Sequence, residues 1–397
     1  MTASTKPSPA IDAALPWALL GAACLGSFAA TSSGTTRAPF LLKMSADLGV
    51  SMPLVANLVS LTATAWGFTS ALGGWASDRF GRRPILIGAL LALALSLLVQ
   101  ASVGSFFWVA VWAAIGGGCA GAFTGVVFAE VSSRVHDSQR GRALGWVMSG
   151  QSLTLVVGVP LAAAIGSLIG WRGWLVCVAG LSLTGCLSLF VTVTRAPGGH
   201  TRPASRPSLR TALSPRVLAL LTTGIAERIC YGLAAVYFAT FLQATYRMSL
   251  AAIAIPLAVF ALGNVAGTVL GGQIADRLRD RLMTFAVAMA LSGVAALFLF
   301  MWHPGPAASV ALGFVYVLLN ALGRPSYMAA LAAVPEEVRG TVLGLNGTSA
   351  SLGWIGAAGL GAAMIGWVGF EGFGPLAAVL ALLGSVGALL SRRMAAP

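Results

Sequence analysis

Long apolar segments recur along the whole chain, and short polar segments separate them. Runs of about 20 mostly apolar residues are long enough to cross a hydrocarbon layer of roughly 30 Å as helices. The pattern predicts twelve such helices, numbered 1 to 12 in chain order, at 16–38, 51–74, 84–103, 106–130, 142–168, 171–194, 215–243, 250–274, 281–302, 306–333, 341–366 and 371–391. An even number of crossings would place both chain ends on the same side of the membrane.

The composition agrees with a chain that faces lipid. Of the 397 residues, 57% are hydrophobic and 9% are charged, whereas a soluble domain has about 25% charged residues. A net charge of +13 would indicate nucleic-acid binding in a soluble protein. Here most basic residues fall at one end of the predicted bundle, and such residues concentrate on the cytoplasmic side of membranes. We therefore expect a multi-pass protein of a bacterial inner membrane with both termini in the cytoplasm and no nucleic-acid partner.

The second half of the chain repeats features of the first. "GGWASDRFGRRP" (73–84) is answered by "GGQIADRLRDRL" (271–282), and "DSQRGRALG" (137–145) by "EEVRGTVLG" (336–344). We predict one six-helix bundle in residues 1–194 and another in 215–397, joined by a cytoplasmic linker at 195–214. Repeated bundles with a binding site at their interface are typical of secondary transporters.

The segment between helices 2 and 3 resembles the signature of the major facilitator superfamily. The pattern G-x-x-x-D-R-x-G-R-R is formed by Gly74, Asp78, Arg79, Gly81, Arg82 and Arg83. A weaker copy between helices 8 and 9 contains Asp276 and Arg277, with Arg279 where the glycine would stand. The resemblance implies an all-α integral membrane protein with twelve transmembrane helices in two pseudo-symmetric six-helix bundles, the major facilitator fold.

This signature also predicts a gate. Asp78 can accept hydrogen bonds from the start of helix 11, and Arg79 or Arg82 can pair with Glu130 at the end of helix 4, where family members often carry an acid. A network of this kind holds one entrance closed in one state and breaks in the other. The alternative is that the arginines only fix the orientation of the chain in the membrane.

Helix 5 resembles the glycine-proline motif of the drug/proton antiporter branch, especially its sugar-efflux-like bacterial members. The motif residues are Gly158, Pro160 and Gly166, and the resemblance implies that they lie in the contact between helices 5 and 11. The branch implies proton-driven export. One position departs from the pattern, because Trp112 stands in helix 4 where such antiporters usually carry an arginine. A proton mechanism that relies on that arginine is not carried over.

Charged residues inside the apolar segments are the candidates for function, because such residues are costly in a membrane and usually mark transport pathways. Helix 7 contains Glu227 and Arg228, and helix 10 contains Arg324. In the superfamily, helices 1, 4, 7 and 10 line the central cavity. Tyr231 shares a helical face with both charges of helix 7, and we expect Glu227 to lie near Arg324. The candidate substrate-binding residues are Arg228, Tyr231, Asn264, Asn320, Arg324, Tyr327, Gln151 and Arg37.

The cluster leaves three roles open. Glu227 can carry the coupling proton, because burial favours the neutral carboxyl and a nearby arginine favours the charged form. Alternatively, Glu227 is a fixed partner of one arginine while the other arginine binds an anionic substrate. In the third interpretation the ion pair only fixes helix packing.

Several motifs are misleading here. "GGGCAG" (116–121) fits G-x-G-x-x-G but lies inside a membrane helix, which favours close helix packing over nucleotide binding. The chain has no Walker-type loop and no H-E-x-x-H, and its five cysteines lack paired spacing, so we expect no enzyme activity, no metal and no cofactor. We predict a monomeric secondary transporter in the lipid bilayer, which exports a small organic molecule by alternating access, with the proton gradient as its energy source. The alternative is an uptake symporter or exchanger for an organic anion with the same fold.

Overall fold

The computed structural model describes residues 15–136, 139–193, 214–278, 280–334 and 336–394, apart from the side chains at 78, 336, 337, 339–341 and 344. Helices 1 to 4 are Trp17–Thr35, Met52–Phe80, Arg82–Ser102 and Phe106–Ser133. Helix 5 begins as Arg140–Leu153 and continues through a π-helical turn, Thr154–Gly158, into the segment Val159–Thr192. A short helix, Leu41–Leu48, follows helix 1. The linker at 195–214 lies outside the described residues, apart from Ser214.

Gly170 divides the long segment Val159–Thr192 into the end of helix 5 and all of helix 6. Its φ of 72° and ψ of 175° are not helical, and glycine adopts such angles with little steric cost. The π-helical turn precedes Pro160, which has no N–H and whose ring clashes with the carbonyl four residues earlier. The sequence therefore accounts for both irregularities of this segment.

The second half of the chain contains helices 7 to 12. These are Pro215–Tyr246, Ala254–Arg277, Arg281–Met301, Pro306–Ala332, Glu336–Trp367 and Phe373–Arg393. Among the described residues, nine segments are long and apolar enough to cross a membrane, and one of them, at 140–192, contains both helix 5 and helix 6. Helices 1 and 2 fall outside these nine, so the count of twelve membrane crossings stays a prediction.

Corresponding helices of the two halves have corresponding neighbours. Helix 2 packs on helix 4, as helix 8 packs on helix 10. Helix 3 packs on helix 6, as helix 9 packs on helix 12. Helix 1 packs on the 140–192 segment, and helix 7 packs on the corresponding helices 11 and 12. The two bundles meet where helix 2 contacts helix 11 and where helix 8 contacts helix 5. The predicted all-α membrane fold with two pseudo-symmetric bundles is confirmed.

The two ends of the bundle differ in charge, and we name them accordingly. The basic end holds residues 79–83, 134–136, 139–142, 277–278, 280–281 and 392–393. There Arg392 pairs with Asp280 at 2.7 Å. The far end holds residues 36–51 and 171–172, where Arg172 pairs with Asp47 at 3.6 Å and Trp171 Nε1 donates to the same carboxylate at 2.9 Å. These contacts hold the short helix Leu41–Leu48 against the start of helix 6.

The prediction that helix 5 uses its motif against helix 11 is wrong. A Cβ at Gly158 would lie 3.4 Å from Ser32 Oγ on helix 1, and one at Gly166 would overlap the ring of Phe40 just beyond helix 1. Helix 11 instead packs on helices 2 and 7. The two glycines and the π-helical turn at Pro160 let helix 5 approach helix 1, its neighbour within the same bundle.

The glycine-rich run of helix 4 acts as a packing surface, as the sequence indicated. A Cβ at Gly117 would lie 2.6 Å from the carbonyl oxygen of Thr62 on helix 2, and additions at Gly121 and Gly125 would overlap the same helix. Small residues at such spacing let two backbones approach closely in a membrane.

We expect Gly117→Val to destabilise the protein, because the backbone of helix 2 cannot move away from the added methyl groups. Overpacking of this kind costs about 1–3 kcal/mol, so the melting temperature of the purified protein in detergent should fall. Gly88→Val in helix 3 is the matched control, since a Cβ there meets nothing within 4 Å. Equal melting temperatures of the two variants would contradict the packing role.

Candidate functional site

Glu227 lies at the centre of an ion-paired cluster between helices 7 and 10. Its side chain is 1% exposed. Oε1 accepts hydrogen bonds from Arg324 Nε at 3.1 Å and Nη2 at 2.9 Å, and Oε2 lies 3.6 Å from Arg228 Nε. The expected proximity of Glu227 and Arg324 is present in the structure.

Arg324 joins the cluster to three further candidates. Its Nη1 donates to Asn264 Oδ1 and its Nη2 to Asn320 Oδ1, both at 3.4 Å. The guanidinium carbon lies 4.9 Å from the ring centre of Tyr231, which is within the range of a cation–π interaction. We call Glu227, Arg228, Tyr231, Arg324, Asn264 and Asn320 the charge cluster.

Small residues let the neighbouring helices approach the cluster. A Cβ at Gly224 would overlap the hydroxyl of Tyr327, which donates to the Leu220 carbonyl at 3.1 Å. On the other side, Gly353 of helix 11 packs directly on the Cβ and Cγ of Arg228. Helix 7 is therefore held between helices 10 and 11 where it carries its two charges.

The cluster carries one excess positive charge. It has two guanidinium groups and one carboxylate, and the arginine side chains remain 21% and 18% exposed while Glu227 is closed off. Breaking a buried pair by removing one partner is strongly unfavourable. A change at Glu227 must therefore be accompanied by rearrangement of at least one arginine.

An apolar pocket lies beside the cluster, between the two bundles. It is narrow and partly open, and its walls come from helices 1, 5, 7 and 8. The lining residues are Thr35, Leu155, Val159, Tyr231, Ala234, Ala235, Phe238, Leu257, Phe260 and Ala261. Tyr231 belongs both to this wall and to the charge cluster, so a molecule in the pocket would contact the ring that covers Arg324.

At the basic end, Glu130 is the acid to which one signature arginine, Arg82, connects. It is buried, with Arg82 Nη1 at 3.6 Å and Arg134 Nε at 2.9 Å. Arg82 also donates to the carbonyl of Ala129 at 3.1 Å. The expected pairing is thus made by Arg82. Arg134 was missed, although its i,i+4 spacing from Glu130 is a signal in the sequence.

The remaining gate residues are placed differently. Arg83 donates to the Phe190 carbonyl at 2.9 Å, and Arg79 lies over the ring of Phe80. Asp276 and Arg277 are exposed at the end of helix 8. Gly81 has a φ of 86°, which glycine tolerates, while the Gly74 position is open to an added Cβ. The side chain of Asp78 lies outside the described residues, so its bond to helix 11 stays a prediction.

We expect Glu130→Gln to lower the melting temperature modestly. The substitution removes a carboxylate shared by two partly exposed arginines, a contact worth about 1 kcal/mol. Thermal unfolding in detergent would measure the change, and Glu371→Gln, at an exposed position of the far end, is the control for loss of one negative charge. An unchanged melting temperature in Glu130→Gln would show that the network contributes no stability in this state.

Two of the candidates lie away from the cluster. Gln151, on helix 5, takes no part in the hydrogen bonds of the cluster. Arg37 lies beyond the end of helix 1 and donates to Gln100 on helix 3 at 2.9 Å. Gln100 was missed because a single glutamine in an apolar helix gives no periodic signal.

Two hydrogen bonds join the two bundles in the half of the molecule that carries the far end. Gln243 Nε2 on helix 7 donates to the carbonyl of Pro39 at 3.0 Å, and Ser60 Oγ on helix 2 donates to that of Ile355 on helix 11 at 3.2 Å. These bonds would have to break for the interface to open toward the far end.

A two-bundle membrane fold with charges and a pocket at the bundle interface is typical of membrane transporters. The chain belongs to the Major Facilitator Superfamily, whose family model matches residues 23–281 and 220–397. The chain is 28% identical over 346 residues to a chloramphenicol resistance protein of Streptomyces lividans, covering 80% of this chain and 86% of that protein. It is 34% identical over 155 residues to a chloramphenicol efflux pump of Mycobacterium tuberculosis, covering 38% and 37%.

The fold is also similar to solved structures. An inward-facing, occupied bacterial homologue of the human lysosomal transporter Spinster superposes with a TM-score of 0.78 at 15% sequence identity, covering 94% of this chain and 96% of that one. At this identity the similarity concerns the fold alone. The family match and the fold together make the chain a multi-pass membrane transporter of the Major Facilitator Superfamily.

Proposed function

We propose that the protein exports a neutral, largely apolar small molecule in exchange for protons. The observation that carries the proposal is the position of Tyr231, which lines the apolar pocket and lies over the Arg324 guanidinium that holds Glu227. Substrate in the pocket would move the Tyr231 ring. That movement would loosen Arg324 and allow Glu227 to gain or lose a proton.

The chemistry of the pocket supports the substrate class. Apart from Tyr231, the pocket is lined by Thr35 and by apolar residues only. The excess positive charge of the neighbouring cluster disfavours cations. Chloramphenicol is the first compound to test, because it is neutral and aromatic and because two relatives carry its name. The proton gradient would be the only energy source.

Alternating access would use the contacts at both ends. In the structure the bundles are bonded across the far half by Gln243 and Ser60, and opening there would require closure at the basic end. The concentration of basic residues at that end supports its cytoplasmic location in a bacterial inner membrane. We propose a monomer as the working unit, with the pocket formed between its two bundles.

The direction of the coupling can be tested in proteoliposomes with labelled chloramphenicol. An antiporter accumulates substrate when the vesicle interior is acidic, because protons leave as substrate enters. A symporter accumulates it when the interior is alkaline. Accumulation with an acidic interior is the expected result, and an equal response to both gradients would overturn proton exchange.

An organic anion carrier is the second candidate, and the excess positive charge of the cluster favours it. In that case Arg324 or Arg228 would bind the carboxylate while Glu227 holds the other arginine. An aromatic carboxylate should then bind the wild type and lose affinity in Arg324→Ala. Full affinity of Arg324→Ala for such an anion would remove the support for this candidate.

A further inference from the structure

A second buried arginine lies at the far end of the molecule, apart from the charge cluster. Arg37 is 4% exposed. Its Nη2 donates to Gln100, but its Nε and Nη1 are buried and find no hydrogen-bond partner among the described residues. A guanidinium has five N–H donors, so most of its capacity is unused.

The positive charge of Arg37 also lacks a counter-charge within the described part of the chain. Asp47, about ten residues further along the chain, already pairs with both Lys43 and Arg172. An isolated buried charge is costly. Lysine or histidine can escape this cost by losing a proton, but arginine stays protonated near neutral pH. A counter-charge from outside these residues would offset that cost.

The neighbouring polar groups are fixed and cannot turn toward the unused nitrogens. Gln100 Nε2 donates to the Ser96 carbonyl, to Ser96 Oγ and to the Trp112 carbonyl at 3.0–3.2 Å. This leaves only its Oε1 for Arg37. Thr36 donates to the Ser32 carbonyl and accepts from Trp174 Nε1 at 2.8 Å. Gln100 and Thr36 are thus neutral, buried and already hydrogen-bonded.

We propose that Arg37 binds one small monovalent inorganic anion, of the size of chloride, through Nε and Nη1. The site is closed, because Thr36, Ala38 and Phe40 beside Arg37 are all nearly inaccessible. A closed site of this kind favours a compact ion over an organic carboxylate. The anion neutralises the far end of helix 1 and fixes it against helix 3. This inference does not depend on the export proposal.

The test uses the purified full-length protein in detergent, with chloride as the probe and gluconate at equal ionic strength as the comparison. Wild type should bind radiolabelled chloride with one ion per chain in equilibrium dialysis, and chloride should raise its melting temperature, because a ligand that binds only the folded state stabilises it. Arg37→Gln should lose both effects. Arg172→Gln is the control, since it removes an ion-paired arginine from the same end of the molecule.

Absence of bound chloride in the wild type would overturn the proposal, and so would chloride binding by Arg37→Gln equal to that of the wild type. If Arg37→Gln does not fold, chloride binding by the wild type and by Arg37→Lys still tests the proposal. Lysine keeps the charge but presents a single compact ammonium, so weaker chloride binding is expected. If Arg37→Lys and Arg172→Gln both bind chloride as tightly as the wild type, the ion does not bind at Arg37 and the proposal is wrong.

Discussion

Replacement of Glu227 by glutamine is expected to abolish proton-driven accumulation of substrate while leaving substrate exchange intact. Glutamine has nearly the same shape and still accepts a hydrogen bond from Arg324, but it cannot carry a proton. Because Glu227 is 1% exposed and holds two arginines, its charge state is tied to their positions. A neutral amide would fix the cluster in one charge state, and a pH gradient would no longer drive transport.

Two measurements on the same proteoliposomes separate coupling from damage to the fold. Accumulation with an acidic interior should fall to the level of empty liposomes. Exchange of labelled for unlabelled substrate, without any gradient, should persist, because it needs binding and reorientation but no net proton movement. Glu371→Gln, at an exposed position of the far end, should keep both activities. Gradient-driven accumulation by Glu227→Gln equal to that of the wild type would rule out Glu227 as the proton carrier.

The fold could be predicted from the sequence because its main signal is long and local. Each membrane helix is marked by about 20 apolar residues, and the glycine run of helix 4 marks a close contact. The ends of the helices were predicted less accurately. Helix 2 was predicted to end at 74, but it continues through polar residues to Phe80 at the basic end. The short helix Leu41–Leu48 was missed, because only Leu41 and Met44 of its eight residues are buried.

The candidate site could be predicted only where its residues follow helical spacing. Asn320 and Arg324 are spaced by one helical turn on helix 10, and charge is rare inside the apolar segments. These signals indicated Glu227 and Arg324, and the two are in contact. Partners that come from other helices carry no such signal. Gln100 meets Arg37 and Asn346 meets Tyr327 only through the packing of the bundle. The same reason explains the wrong partner for helix 5, since a motif defines a packing face but not the helix that covers it.

The apolar pocket provides the second large expected effect. Ala235→Phe should weaken substrate binding at least about tenfold, which corresponds to roughly 1.4 kcal/mol, because the added ring would occupy space in the pocket. Ala235 lines the pocket and is only partly buried, whereas its neighbour Ala234 is fully buried. The ring at 235 would therefore project toward the pocket.

Binding of labelled chloramphenicol to the purified variant measures this effect, and Ala290→Phe is the matched control. Ala290 is exposed on helix 9 beside Val287 and Leu291, which are 46% and 49% exposed, so its substitution should face lipid. If Ala235→Phe binds like the control, the substrate does not occupy this pocket. If binding is lost while Glu227→Gln still binds, the pocket and the charge cluster have separate roles. Substrate recognition would then depend on apolar contacts in the pocket, and the ion pair of Glu227 would couple substrate binding to proton transfer.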